Sequence, residues 1–360
     1  FGQGETGVAE RVEQSPAKLR LTIDSLMDSN PSISIENIEF DIFGFSRGAA
    51  AARHFANEVL KANSGVVSES LNPKDPAFSP GFALDTNLSI NFIGLFDTVA
   101  AIGDPTRGHP SVGDDYNPGV NLYLPPDCAR KVVHLTAADE HRHNFSLNRV
   151  TEAHEELVLP GVHSNLGGGY PTLSYERLML GTPVFFLSDE YPLDGRARHK
   201  LVRSDAWLTR QREEALFRER GLPGDGRLVL HEHAVRRMPR ALVLLSLSIE
   251  RTVRGELSRV PLRIMHAKGL ESTVPFDPIS EHDDRFTIPA DLKAIADKVY
   301  GAAMSGCSPT LSRDERRFLH SRYIHSSANW APVKGFMANK PRNGFTRAIY
   351  PDRQPEEYPV

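Results

Sequence analysis

Residues 39–60 read EFDIFGFSRGAAAARHFANEVL, and this stretch decides the fold. The apolar run over 38–45 predicts a buried strand. The Ala-, Glu- and Leu-containing run over 47–62 predicts a helix. Between them stands Gly44-Phe45-Ser46-Arg47-Gly48, a G-x-S-x-G pentapeptide. A serine between two glycines, where a strand becomes a helix, is the arrangement of a nucleophile elbow. The chain turns sharply there and holds the serine in a strained conformation. Side chains at 44 or 48 are expected to clash with the neighbouring strand and helix. The turn lifts the Ser46 hydroxyl above the carboxyl end of the sheet. The first N–H groups of the helix then point at developing negative charge, and the Arg47 N–H is the expected oxyanion donor. The pentapeptide alone arises by chance; the strand before it and the helix after it give it meaning.

Outward from the elbow, apolar runs predict further strands at 88–96 (LSINFIGLF), 130–138 (RKVVHLTAA), 156–160 and 240–249. Helical spacing marks 8–27, broken by Asn30-Pro31-Ser32. It also marks 257–269, with Pro261 near its start, as well as 292–304 and 313–323. The stretches 1–7, 64–85 and 103–127 read as loops. Strands separated by helices or long connections predict an α/β fold: α/β-hydrolase-like, a mostly parallel sheet with helices on both faces. The organisation expected is a catalytic core over 1–170, an insertion or cap over 171–240, the rest of the hydrolase domain over 241–330 and a surface tail over 331–360.

The chain has 360 residues, 40% apolar and 24% charged, a globular composition with ample core. A net charge of −4 and a pI near 6.4 argue against a nucleic-acid partner. They leave room for a local membrane-contacting patch. Cys128 and Cys307 lie far apart and without ligand-spaced neighbours, so neither a disulfide framework nor a zinc site is expected. No cofactor and no metal is called for by any motif. No apolar run reaches bilayer-spanning length, and no signal peptide is visible.

A serine nucleophile needs a base, and the base an orienting acid, in the chain order Ser, acid, His. Among 14 histidines, His163 stands out in LPGVHSNLGGGY (159–170), just after a short apolar strand. Three consecutive glycines permit close backbone approach beside it, a setting that a packing histidine seldom needs. Two aspartates compete as the acid. Asp97 ends the strand NFIGLF and Asp139 ends the strand KVVHLTAA, so both sit where a strand delivers a side chain to the site. The usual acid follows the strand just before the histidine strand, which favours Asp139. Asp97, one strand earlier, is a known variation on the same geometry.

The ordered segments GFSRGAAAAR, FIGLFDTVAAIG, AADEHRHNFSLN and LPGVHSNLGGGY resemble the α/β-hydrolase family that contains the first class of type VI secretion lipase effectors. The resemblance covers 1–170 and continues more loosely through RVPLRIMHAKGL and FLHSRYIHSSANW. It implies acyl-ester cleavage of membrane phospholipids by a phospholipase A type enzyme. It also implies delivery by a contractile injection machine to the periplasm or membrane of a target cell. Secretion-spike components and a cognate immunity protein are the implied partners. Carried over by motif, Ser46 is the nucleophile, His163 the base, and Asp97 or Asp139 the acid. The family usually has Asp two residues after the motif histidine, where this chain has Asn165. Only 45 residues precede Ser46, so strands that normally come before the elbow are expected to be missing. The loop FGQGETG (1–7) is the one upstream stretch offering a second oxyanion donor.

Other readings remain open from sequence. One is a serine esterase on soluble esters. Another is a non-catalytic interaction module on a degenerate hydrolase, against which the intact Ser46 and His163 argue. FGQGETG as a nucleotide loop lacks the Gly-Lys-Ser/Thr ending and a preceding strand. The run 183–187 (PVFFL) suits either membrane contact or a core strand, with core favoured.

Overall fold

The computed structural model describes residues 7–102, 116–181, 184–188, 226–237, 240–331 and 339–354. Four strands, β1 (Ile38–Phe45), β2 (Leu88–Phe96), β3 (Lys131–Ala137) and, after the two-residue β4 (Leu147–Asn148), β5 (Glu155–Leu159), carry the centre. They form a parallel sheet in the order β1-β2-β3-β5. The near-continuous apolar runs read from sequence have their cause here: both faces of the sheet are covered.

Period-two alternation sorts the side chains. Phe92, Val133, Leu135, Leu157 and Leu159 point to one face, against Ile264 and Met265 of the helix Arg259–Glu271 and Leu292 and Ile295 of the helix Ala290–Met304. Ile42, Ile93, Leu95 and Val132 point to the other. There they meet Ala49, Ala52, Ala56 and Val59 of α3 (Arg47–Leu60). The alanine stripe of the opening stretch thus lets α3 lie close on the sheet.

Two N-terminal helices come first, one packed on α3 and the next on the turn Val66–Glu69. The helix expected over 8–27 is split into α1 (Val8–Glu13) and α2 (Ser15–Ser29). Pro16 has no N–H to donate to the carbonyl of Val12, and the Ser15 hydroxyl takes that carbonyl instead at 2.6 Å. After β5, the single turn α4 (His163–Leu166) follows immediately.

The expected insertion proves to be strand-rich. β6 (Leu173–Met179), β7 (Val184–Ser188), β8 (Arg227–Arg237) and β9 (Arg240–Arg254) make a second, antiparallel sheet centred on β9. A boundary at 240 therefore separates β9 from its three partners, all of which precede it in sequence. Of the run 183–187, residues 184–187 lie on β7, and Pro183 lies outside the described residues.

The surface tail expected over 331–360 needs correction for 347–352. β10 (Ile349–Tyr350) pairs in parallel with β4. The Arg347 side chain is 6% exposed, and Asp352, at 2%, meets the fully enclosed Arg53 of α3 at 2.6 Å. Arg53 also donates to the carbonyls of Leu122, Asn148 and Arg149. A buried charge persists only when it is paired and bonded, and here pairing folds residues 347–352 into the core. Both cysteines are free, Cys128 buried and Cys307 exposed. No described helix is long and apolar enough to cross a membrane.

Candidate active site

The in-register parallel sheet sets the site. Phe45 pairs with Phe96, and Phe96 with Leu135, so the chain leaves β1 at Ser46 and β2 at Asp97 side by side. The Ser46 N–H bonds the Phe96 carbonyl at 3.0 Å. β3 and β5 are paired up to Ala137 and Leu159, and His163 follows four residues later. All of these residues lie at the carboxyl edge, where α/β sheets place their sites.

Ser46 has φ 59° and ψ −125°, a conformation L-residues rarely adopt, and caps α3. Such strain persists only where surrounding structure over-determines it. Gly44 does part of that: a Cβ there would stand 2.2 Å from the Gly48 carbonyl oxygen. Gly48 departs from expectation, because a Cβ there meets nothing within 4 Å. The close approach that excludes a side chain belongs to Gly44 alone. Arg47 is the first residue of α3, and its N–H belongs to the turn whose donors have no intrahelical acceptor.

The Ser46 hydroxyl lies 2.8 Å from His163 Nε2, oriented to donate to it. On the other side of the ring, Nδ1–H donates to Asp97 Oδ2 at 2.5 Å. The ring packs against Phe45 (centroids 4.5 Å apart, tilted) and Phe145 (4.9 Å, T-shaped). Gly167 makes room for the first of these, since a Cβ there would stand 2.4 Å from the Phe45 ring. Ser46 is half-buried, whereas His163 and Asp97 are buried.

Asp97 also turns on a positive φ, 47°. Its carboxylate takes four partners. Besides His163, these are the Ala137 N–H at 2.9 Å and both Nη atoms of Arg347, at 2.6 and 2.9 Å. Burial alone would push this carboxyl up; the Arg347 guanidinium and His163 outweigh it and hold it well below the usual carboxylate range. The loop beyond Asp97 is pinned by His134, whose Nε2 accepts the Thr98 N–H at 3.1 Å while Nδ1 faces Glu156.

The structure brings Ser46, His163 and Asp97 together and leaves Asp139 out. Asp139 Oδ2 accepts the Gly161 N–H at 2.8 Å, and its other oxygen faces His320 at 3.3 Å. It fastens the exit of β3 to that of β5. The preference for Asp139 is thereby corrected: the strand that delivers the carboxylate to His163 is β2, adjacent to the elbow strand.

Three participants had no place in the sequence reading. Glu140, next to Asp139, accepts the His163 N–H at 3.2 Å and pairs with Arg142 at 2.8 Å. Burial works to raise its carboxyl, but Arg142 prevails and holds it at about 2. Its signal was its place in AADEHRHN. Arg347 had none, being one arginine among many in a Pro- and Arg-rich stretch. His325 is the partner of Asn165, whose Nδ2 donates to the Tyr323 carbonyl and to His325 Nδ1, both at 3.1 Å. Asn165 Oδ1 accepts the N–H of Val162 and of His325. An amide fits this double role and a carboxylate does not.

Among the described residues, no group of three or more His, Cys, Asp or Glu is placed to hold a metal ion. Of the FGQGETG loop, residues 1–6 lie outside the described residues. Beside the elbow runs a groove of about 580 Å³ lined by Phe43, Phe45, Phe96, Leu166, Tyr170 and Leu262, with Arg259 and Arg285 also bordering it.

Residues 80–189 match the family model described as the catalytic domain of the Tle1-like type VI secretion phospholipase effectors. The match includes Asp97, Asp139 and His163 but stops short of Ser46. Among solved structures, the chain is similar to the Tle1 effector bound to the VgrG spike of the type VI secretion system. The TM-score is 0.78 at 27% identity, over 96% of this chain and 73% of that one. An uncharacterised protein from Pseudomonas aeruginosa matches at a TM-score of 0.37 and 19% identity, over 87% of this chain and 35% of that one. No curated protein matches. The resemblance, the α/β fold and the functional class read from the sequence are borne out by the match of 80–189 to the Tle1-like catalytic domain and by the structural similarity to the Tle1 effector.

Proposed function

We propose that this Tle1-like chain is a serine phospholipase of the A type, in which Ser46 is the nucleophile, His163 the general base and Asp97 the orienting acid. The observation that carries this reading is the unbroken relay from Ser46 Oγ through both ring nitrogens of His163 to the Asp97 carboxylate.

His163 Nε2 takes the hydroxyl proton as Ser46 Oγ attacks the carbonyl carbon of a fatty-acyl ester. The carbonyl π pair moves onto oxygen, and the Arg47 N–H, backed by the N-terminus of α3, stabilises that oxyanion. Asp97 fixes the tautomer with the proton on Nδ1 and stabilises the imidazolium. The intermediate collapses, the ester C–O bond breaks, and His163 protonates the departing lysophospholipid alkoxide. Water, deprotonated by the same nitrogen, then releases the fatty acid and restores Ser46.

The groove beside Phe45 supports a lipid rather than a small soluble ester, since its aromatic and aliphatic lining suits an acyl chain. By analogy with the relative solved on its spike, the chain is proposed to travel on secretion-spike components to the periplasm or membrane of a target cell. A cognate immunity protein would then guard the producer. The nucleophile is tested by a fluorophosphonate probe followed by peptide mass spectrometry. An adduct on Ser46 that is lost in His163→Ala supports the assignment; an adduct on another serine sinks it.

A further inference from the structure

We infer that Arg347 is a positioning residue of the catalytic centre: its guanidinium clamps both oxygens of Asp97 beside the His163 ring, and its charge limits how strongly Asp97 stabilises the imidazolium. This rests on the triad proposed above.

The geometry is that of a built contact. Arg347 donates from Nη1 to Asp97 Oδ1 at 2.6 Å and from Nη2 to Oδ2 at 2.9 Å, a two-pronged fork onto both oxygens. Its Nε donates to the Phe145 carbonyl at 2.8 Å. Phe145 is the residue whose ring packs T-shaped against His163. One side chain therefore fixes both the acid and an aromatic wall of the base. Both ends of the clamp are closed to solvent, at 6% and 0% exposure.

The segment that carries Arg347 is itself locked. The Leu147 N–H bonds the Ala348 carbonyl at 2.9 Å, and β10 pairs with β4. β4 in turn holds the loop after Asp97, through Asn148 N–H to the Thr98 carbonyl and Ala100 N–H to Asn148 Oδ1. Five residues beyond Arg347, Asp352 is tied to Arg53. A clamp held this firmly prevents Asp97 from rotating away while the imidazolium forms.

The charge has a second consequence. Oδ2 is shared between Arg347 and His163. A carboxylate that is partly neutralised by a fixed cation stabilises a neighbouring imidazolium less. Among the described residues, the other charged or titratable groups facing the pair are His134 on β3 and, in the connection after β3, Glu140 with its partner Arg142. None of these lies between Arg347 and Asp97.

The test is a pH–rate profile on a soluble short-chain ester, with pH titration of the ¹⁵N-labelled His163 ring, for the wild type, Arg347→Gln and Arg347→Lys. In Arg347→Gln, kcat should fall about tenfold with KM unchanged, because Arg347 touches no substrate. The acid limb and the ring titration should both move up by about one pH unit. Arg347→Lys keeps the charge and loses the fork, so kcat falls about tenfold while the limb stays near the wild-type position. Equal kcat in all three proteins, or a loss in both variants with no movement of the limb or the ring, overturns the inference. If Arg347→Gln does not fold, Arg347→Lys decides, with wild-type kcat the contradicting result. If the wild type turns over no ester while the ring titration shifts in Arg347→Gln, the triad proposal fails and the clamp stands.

Discussion

A carboxylate serves His163 only if an oxygen reaches Nδ1 while the ring's other nitrogen keeps its line to Ser46. Asp97 meets this condition through its left-handed backbone, φ 47°, which turns the side chain back across the end of β3 to the Ala137 N–H. Asp139 spends its oxygens on Gly161 and His320. Asp97→Asn is therefore expected to lower kcat by on the order of 10⁴-fold, the penalty for a wrong tautomer in an acid–His–Ser relay. Asp139→Asn should stay within about threefold of wild type, and Asp139→Ala, which strands the Gly161 N–H, should cost about 1–3 kcal/mol in urea unfolding. Asn165→Asp makes a third case. It removes two donated hydrogen bonds at a buried site, so a loss of about 3 kcal/mol or more is expected, read by the same unfolding curves. Ser46 and His163 were legible because each is announced by local backbone needs, glycines at a turn and glycines beside a ring. The choice between two aspartates was not legible, because it depends on strand adjacency, and adjacency is a property of the sheet. Arg347 was hidden for the same reason: 250 residues separate it from its partner.

At the scale of elements, the elbow's two glycines differ. Gly44→Ala would drive a Cβ into the backbone of Gly48 and Ala49, and is expected to cost about 3 kcal/mol and to disorder the nucleophile. Gly48→Ala meets open space in the first turn of α3 and is expected to raise stability by up to about 1 kcal/mol, measured by thermal unfolding. β2 and β3 were legible almost to the residue because their apolar runs are buried on both faces, while β1, at the sheet edge with Phe43 38% exposed, was read by its apolar run and the elbow that follows it. Of the second sheet, the strand at 240–249 was read and 183–187 was favoured as a core strand, but β6 and β8 were not read. β6 alternates between exposed and enclosed positions and, like β7, pairs with β9 across a long sequence separation that no local pattern encodes. The groove belongs to this scale as well. Leu262, 37% exposed, lies on its wall. Leu262→Arg is expected to weaken long-chain lipid turnover at least about tenfold while leaving short-ester turnover intact. Equal losses on both substrates would remove the groove from substrate binding.

At the scale of the whole molecule, the end of the chain closes the site from outside the canonical motif order, and buried charge makes the fold sensitive to acid. Burial, reinforced by Arg251, pushes His325 down to about 3, while Glu140 sits at about 2. Both folded values lie below the unfolded ones, 6.5 and 4.5, so the unfolded chain binds more protons as the pH falls. Stability is thus fully present above pH 6.5 and declines below it, first through His325 and then, below 4.5, through Glu140 as well. Between pH 6.5 and 5.0 His325 alone should cost about 2 kcal/mol. His325→Gln should flatten that part of the curve; an unchanged slope would assign the acid sensitivity elsewhere.

The central claim is that one serine, one histidine and the aspartate after β2 cleave phospholipid acyl esters. Its most direct test is hydrolysis of vesicle phospholipids labelled separately at each acyl position, by the wild type and by Ser46→Ala, His163→Ala, Asp97→Asn and Asp139→Asn. The account predicts release of labelled fatty acid by the wild type and Asp139→Asn, and near-complete loss in the other three. Release by Ser46→Ala at the wild-type rate, or loss in Asp139→Asn with Asp97→Asn active, would contradict it.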